Sequence, residues 1–229
     1  MPIIVKNTTL INPLDLLAPH SCRGCGVLGS VLCDRCKNYI LSQQHNICPR
    51  CKSDNKTGDC SDCPDLPPTF IGGERAGLLG ELIHDYKYHS IRALAKSLAE
   101  IMAHALPAFD GAAYIVPLPT IGKHIRSRGF DHTRLVAKYL SKLTGYPVCP
   151  LLARAKNTVQ VGASQTKRRE QASSAYHFNS KYTVELEATY ILLDDVWTTG
   201  ASMRAAQQIL KQNQATHLAC ALLSLSRID

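Results

Sequence analysis

The chain has 229 residues, 45% of them hydrophobic, with 26 Lys and Arg against 18 Asp and Glu and a formal charge of +8. That length gives room for one medium domain and a small appendage, and the absence of any run of about twenty apolar residues excludes a membrane-spanning helix. The positive excess points to an anionic partner, either nucleic acid or a phosphorylated small molecule or both. Residues 1–20 contain Lys6 but no basic start followed by an apolar stretch, so no secretory signal is read there and a cytoplasmic location is expected.

Behind this 1–20 lead-in, residues 21–64 carry four Cys-x-x-Cys pairs: Cys22/Cys25, Cys33/Cys36, Cys48/Cys51 and Cys60/Cys63. Two residues between thiolates let both sulfurs converge on one tetrahedral ion, so eight ligands suit two structural zinc ions. Iron accepts the same four thiolates, and the ligand set alone does not separate the two metals. A redox site needs one such pair in a βαβ setting, and a disulfide framework needs an export signal. Sequential pairing, the first two pairs and then the last two, is the simplest assignment, and spacing leaves an interleaved one open. The segment is rich in Gly, Asp, Ser and Lys, with too few large apolar residues to fold without metal. Cys149 and Cys220 read as ordinary core cysteines.

Residues 65–69 read as a short stiff linker, and residues 70–229 as an α/β domain. Leu78, Leu79, Leu82, Ile83 and Tyr86 fall at helical spacing, as do Leu94, Leu98, Ile101 and Met102, with a break at residues 87–90. Pro107 ends the second helix. Residues 113–116 read as a strand running into Pro117-Leu118-Pro119-Thr120. The basic stretch 123–134 reads as a loop after that strand, with Asp131 capping a helix marked by Leu135, Val136, Tyr139, Leu140 and Leu143. A further strand is expected within 146–152, then a long loop or extended hairpin over 154–180. The final elements are a strand, a helix over 202–212 and a strand over 218–224. This alternation implies a mostly parallel, doubly wound sheet.

The most specific run is Tyr190-Ile191-Leu192-Leu193-Asp194-Asp195-Val196-Trp197-Thr198-Thr199-Gly200-Ala201-Ser202-Met203. Four apolar residues deliver two carboxylates to the end of a buried strand, and a hydroxyl-and-glycine loop then opens a helix. Ligands bind at the carboxyl ends of strands in such sheets, and helix N-termini hold phosphate. Asp194 and Asp195 suit two vicinal sugar hydroxyls, while Thr198, Thr199, Gly200, Ala201 and Ser202 suit a phosphate on the same sugar. The bland reading is a solvated turn followed by a capping loop. The order of the parts favours a ribose 5-phosphate unit. The basic residues 123–128 would face this motif across a switch point of the sheet and neutralise a pyrophosphate. Gln165, Lys167, Arg168, Arg169 and Gln171 suit either a solvated loop or an anion-gripping lid.

The acidic pair and Thr-Thr-Gly loop resemble the ligand motif of type I phosphoribosyltransferases, with Ser202 where Thr is common. With the knuckles, Lys87-Tyr88, Pro117 and Pro119, Arg128-Gly129-Phe130-Asp131, and Arg168, Gln171, Ser174 and Tyr176, the chain from Leu16 onward resembles the competence protein F (ComF, GntX-like) family. Asp131, Gln171, Ser174 and Tyr176 depart from its usual residues. The resemblance implies a type I phosphoribosyltransferase domain behind a double zinc ribbon. It implies phosphoribosyl pyrophosphate bound with Mg²⁺, with Asp194 and Asp195 as the catalytic pair. Pro119, Thr120, Arg128 and residues 198–202 would be the ligand-binding positions. It also implies single-stranded DNA and proteins of the competence machinery as partners in natural transformation. An active transferase with an unidentified acceptor is the alternative.

Overall fold

The computed structural model describes residues 20–44, 46–55, 57–154 and 175–226. The elements in chain order are α1 (Asp34–Ser42), β1 (Thr69–Ile71), α2 (Gly77–Tyr88), α3 (Leu94–Ala105), β2 (Ala113–Pro117), α4 (Gly122–Arg128), α5 (His132–Thr144), β3 (Leu152–Arg154), β4 (Tyr176–Phe178), β5 (Thr189–Trp197), α6 (Ala201–Gln212) and β6 (His217–Leu225). The four longer-range strands form a parallel sheet in the order β1-β6-β5-β2, in which Thr69, Cys220, Leu192 and Val116 lie side by side. β3 and β4 pair antiparallel as a separate hairpin.

The near-continuous apolar runs of β5 and β6 follow from burial on both faces, because successive strand residues point to opposite sides. Ile191, Leu193, Ala219 and Ala221 pack with α2, α3 and α5, while Tyr190, Leu192, Cys220 and Leu222 pack with α6 and the hairpin. Helices cover both faces, so the sheet is doubly wound as expected. Val148 forms one parallel bridge on the outer side of β2, whereas β5 and β6 lie on its other side. The chain therefore leaves the sheet in opposite directions from β2 and β5. The crevice between their carboxyl ends is a topological switch point.

The cysteine units straddle the β1 edge. Cys22, Leu32, Cys36 and Ile40 join the core on the α3 face, and Cys48, Cys60, Cys63 and Leu66 join the core on the α6 face. Between them, Gln44 Nε2 donates to the carbonyls of Gly72 (2.8 Å) and Ile101 (3.1 Å), and Thr69 N–H donates to Gly58 O (2.8 Å). An edge strand presents unpaired backbone groups, and this wrapping satisfies part of them.

Three local expectations change. Residues 123–128, read as loop, form α4, which ends at Gly129 in the left-handed region (φ 78°). No α4 residue is buried, so the helix leaves no apolar stripe in the sequence. The strand expected within 146–152 is replaced by the Val148 bridge, held by Ile115 N–H to Pro147 O (2.9 Å) and Cys149 N–H to Ile115 O (2.8 Å), and by the start of β3 at Leu152. Pro147 and Pro150 have no N–H with which to extend that ladder. Finally, β1 starts at Thr69, inside the stretch read as linker. Among the described residues, no helix is long and apolar enough to cross a membrane.

Candidate active site and metal centres

The two adjacent carboxylates lie near the carboxyl end of β5, which runs on through Val196 and Trp197 rather than stopping at the acid pair, and the pleat aims them apart. Asp195 turns toward α2 and α5. Its Oδ2 accepts from Lys87 Nζ at 2.6 Å and from His132 Nε2 at 2.7 Å. The other side of His132 identifies its tautomer. Arg128 NH1 lies 2.9 Å from His132 Nδ1, and a guanidinium only donates, so Nδ1 carries the lone pair and Nε2 the proton. Arg128 Nε also donates to Lys87 O (2.6 Å), which ties α4 to the end of α2. Thr120 Oγ1 donates to Asp131 Oδ1 (2.9 Å), and the same carboxylate accepts from Arg134 N–H to cap α5.

Asp194 turns to the α6 side and accepts the backbone N–H of Asp195 through its own Oδ1 (2.9 Å). Burial, and then the charge of Asp195, pushes its carboxyl up to about 8. Burial works against Asp195 as well, but the His132 hydrogen bond and the Lys87 ammonium hold it below the ordinary carboxylate range. Adjacent acids in one sequence motif are therefore held in different protonation states.

Two hollows meet at Asp194. One, of about 240 Å³, is lined by Lys87, Pro119, Thr120, Arg128, Arg154, Tyr176 and both carboxylates, and it reaches Ser202. The other, of about 40 Å³, is lined by Trp197, Thr198, Thr199, Gly200, Ala201, Ser202 and Asp194. Asp194 and Ser202 are common to both. The smaller hollow sits at the opening of α6, whose first-turn amides lack intrahelical acceptors. Gly200 there has φ 71°, and a Cβ on it would lie 2.3 Å from Trp197 Cζ2, so only glycine fits. Trp197 packs beside this loop and is buried.

Pro119, Thr120, Arg128, Asp194, Asp195 and residues 198–202 line the two hollows, whereas of the basic stretch 123–128 only His124 and Arg128 reach the larger one. Lys87, His132 and Arg154 join them. Lys87 was visible only through the Lys-Tyr resemblance. His132 has a weak sequence signal, as it shares the buried α5 stripe with Val136, Ala137 and Leu140. Of the residues read as a solvated loop or a lid, Gln165, Lys167, Arg168, Arg169 and Gln171 lie outside the described residues, as does Ser174, while Tyr176 begins β4 and lines the cleft.

The eight knuckle cysteines form two sequential groups, Cys22/Cys25/Cys33/Cys36 and Cys48/Cys51/Cys60/Cys63, in each of which all sulfurs lie within 4.8 Å of one another. Zinc–sulfur bonds of about 2.3 Å in a tetrahedron set sulfur atoms about 3.8 Å apart. Cys25 and Cys33 are 3.6 Å apart and Cys51 and Cys60 3.3 Å, so both groups fit a four-thiolate ion. Cys33 N–H points at Cys22 Sγ (3.4 Å), and together with other backbone donors it brings Cys22 down to about 6 against the cost of burial. Thiolate is the form that binds metal.

No protein-family model matches the chain. It is similar to competence protein ComFC of Streptococcus pneumoniae, 21% identical over 189 residues that cover 80% of this chain and 82% of that one. It is also similar to competence protein ComFC of Bacillus subtilis, 24% identical over 200 residues and 80% of each chain. A solved structure of the allosteric regulatory enzyme of purine biosynthesis is 14% identical with a TM-score of 0.41, covering 61% of this chain and 30% of that one. The strand order, the switch-point crevice and the acid-pair loop define a doubly wound α/β domain with a ligand cleft at its switch point, preceded by a cysteine-rich unit that fits a zinc ribbon. Over about 80% of its length the chain is thus similar to two ComFC competence proteins, and it carries two four-cysteine groups beside the α/β domain.

Proposed function

We propose that the double hollow binds phosphoribosyl pyrophosphate and that the protein acts in the cytoplasm in the handling of single-stranded DNA during competence. The observation that carries the ligand is the junction at Asp194 and Ser202 between a small helix-opening hollow and a larger cationic cleft. A 5-phosphate suits the first, a ribose diol suits the carboxylates between, and a pyrophosphate suits Lys87, Arg128 and Arg154 in the second. Bound Mg²⁺ would supply further screening of the pyrophosphate oxygens. Lys87 and His132 orient Asp195, and the cleft cations stand where charge would develop if pyrophosphate left. That last feature also supports the alternative, a transferase with an unidentified acceptor. In both groups of four thiolates, zinc would have a structural role.

Calorimetric titration with phosphoribosyl pyrophosphate and Mg²⁺ tests the ligand. Saturable binding that is lost in Asp194→Ala/Asp195→Ala supports the site, and unchanged affinity in that double variant overturns it. Pyrophosphate release that depends on an added acceptor would favour turnover over a binding role.

A nucleic-acid partner is supported by a second groove, of about 490 Å³, on the far side of the Gly129-Phe130-Asp131 turn. Arg92, Arg134 and Lys138 rim it, Tyr182 borders it, and Arg92 lies over the Phe130 ring at 6.0 Å from the centroid. The Phe130 ring is buried, so the cations and the exposed Tyr182 ring are what suit phosphates and an unstacked base.

A further inference from the structure

The last turns of α2 bring together a donor set unrelated to the cysteines. His84, Asp85 and His89 each offer one ligand atom, and these atoms lie within 4.8 Å of one another. The two imidazole rings meet edge to face with centroids 5.1 Å apart. His84 and His89 are exposed, whereas the Asp85 side chain is only 11% accessible.

Asp85 is oriented from behind. Arg23, from the first cysteine unit, donates to Oδ2 through both Nε and NH2 at 2.7 Å. This leaves Oδ1 facing His89 Nδ1, also at 2.7 Å. A carboxylate clamped on one oxygen and directed at an imidazole with the other has the arrangement that outer groups impose on metal ligands. The donors also stand at the carboxyl end of a 12-residue helix, where the dipole favours positive charge.

We propose that His84, Asp85 and His89 form a third metal site, specific for a borderline divalent ion such as zinc, cobalt, nickel or copper. Two imidazoles and one carboxylate suit these ions, whereas magnesium and calcium prefer all-oxygen sets. The ion takes the place of the hydrogen bond between His89 Nδ1 and Asp85 Oδ1, with neutral His89 binding through Nδ1 and carrying its proton on Nε2, and water completes the coordination. Because Arg23 belongs to the cysteine unit and α2 carries Lys87 to the cleft, the site joins the two parts of the molecule.

The test uses untagged full-length protein with the metal content it has as purified, titrated with Co²⁺. One further equivalent is expected, with a weak ligand-field band and none of the near-ultraviolet intensity of cobalt–thiolate bonds. His84→Ala and His89→Ala, both exposed positions, should each weaken that equivalent at least tenfold, and the double variant should abolish it. Metal already held by the cysteines should be the same in all of them. A titration with no additional equivalent, or one that persists in the double variant, overturns the site. Comparing the wild type with the histidine variants keeps this outcome separate from whatever the cysteine groups bind.

Discussion

At residue scale, the acid pair shows how neighbours in sequence acquire different chemistry. Asp194 holds a proton in the folded state up to about pH 8, against 3.8 for the free side chain. The sign follows from linkage. The folded chain binds one more proton than the unfolded chain between those values, so this contribution is complete below about pH 4 and lost as pH rises through 8. Asp195, held low, loses its own contribution only as pH falls below the ordinary carboxylate range. Urea midpoints measured from pH 5 to 9 should therefore decline in the wild type and decline less in Asp194→Asn. Equal slopes would mean that Asp194 is ionised throughout. At Gly200, with φ 71° and Trp197 against it, alanine should cost about 1–3 kcal/mol and weaken phosphoribosyl pyrophosphate binding, read by urea unfolding and calorimetry. His132→Ala removes a buried donor to Asp195 and should cost about 1–3 kcal/mol, with a loss of ligand affinity that His132→Gln partly restores.

At element scale, much of the domain was legible because apolar periodicity and punctuation agreed. α2, α3 and α5 appear where their stripes predict them, and Gly145 closes α5 with φ 82°. α4 was illegible because it buries nothing. α1 lies in a segment whose composition suggested only metal knuckles, yet Ile40 is buried and Lys37 pairs with Glu100 at 2.9 Å. The two cysteine groups belong to opposite cores, so they should fail separately. Cys48→Ser is expected to remove one of two bound metals, by elemental analysis, and to loosen the α6 face while leaving the first group loaded. Hydrogen exchange confined to residues around the second group and α6 would agree with this; loss of both metals would show that the groups are coupled.

At the scale of the whole molecule, two hollows draw on separate sets of basic residues. The cleft takes Lys87, Arg128 and Arg154, and the groove beyond the α4–α5 turn takes Arg92, Arg134 and Lys138. If the groove follows a single strand, Arg134→Ala/Lys138→Ala should reduce the slope of log affinity against log salt by about 1.4, at about 0.7 per phosphate contact. Binding of phosphoribosyl pyrophosphate should be unaltered in that variant. An unchanged slope in oligonucleotide anisotropy would remove the groove from the DNA reading.

The sequence by itself determined the local pieces: the strand that carries Asp194 and Asp195, the loop of residues 198–202, the paired thiolates and the helical stripes. These are encoded within a few residues of one another, in spacing and turn chemistry. Only the tertiary structure decided that the cysteine pairs combine sequentially on opposite faces of the sheet, and that Lys87 and His132 both reach Asp195. His132 is 63 residues from its acceptor. Such contacts depend on which strand ends lie side by side and which way each side chain leaves the pleat. That choice is made by packing the whole sheet, and no local stretch of chain contains it.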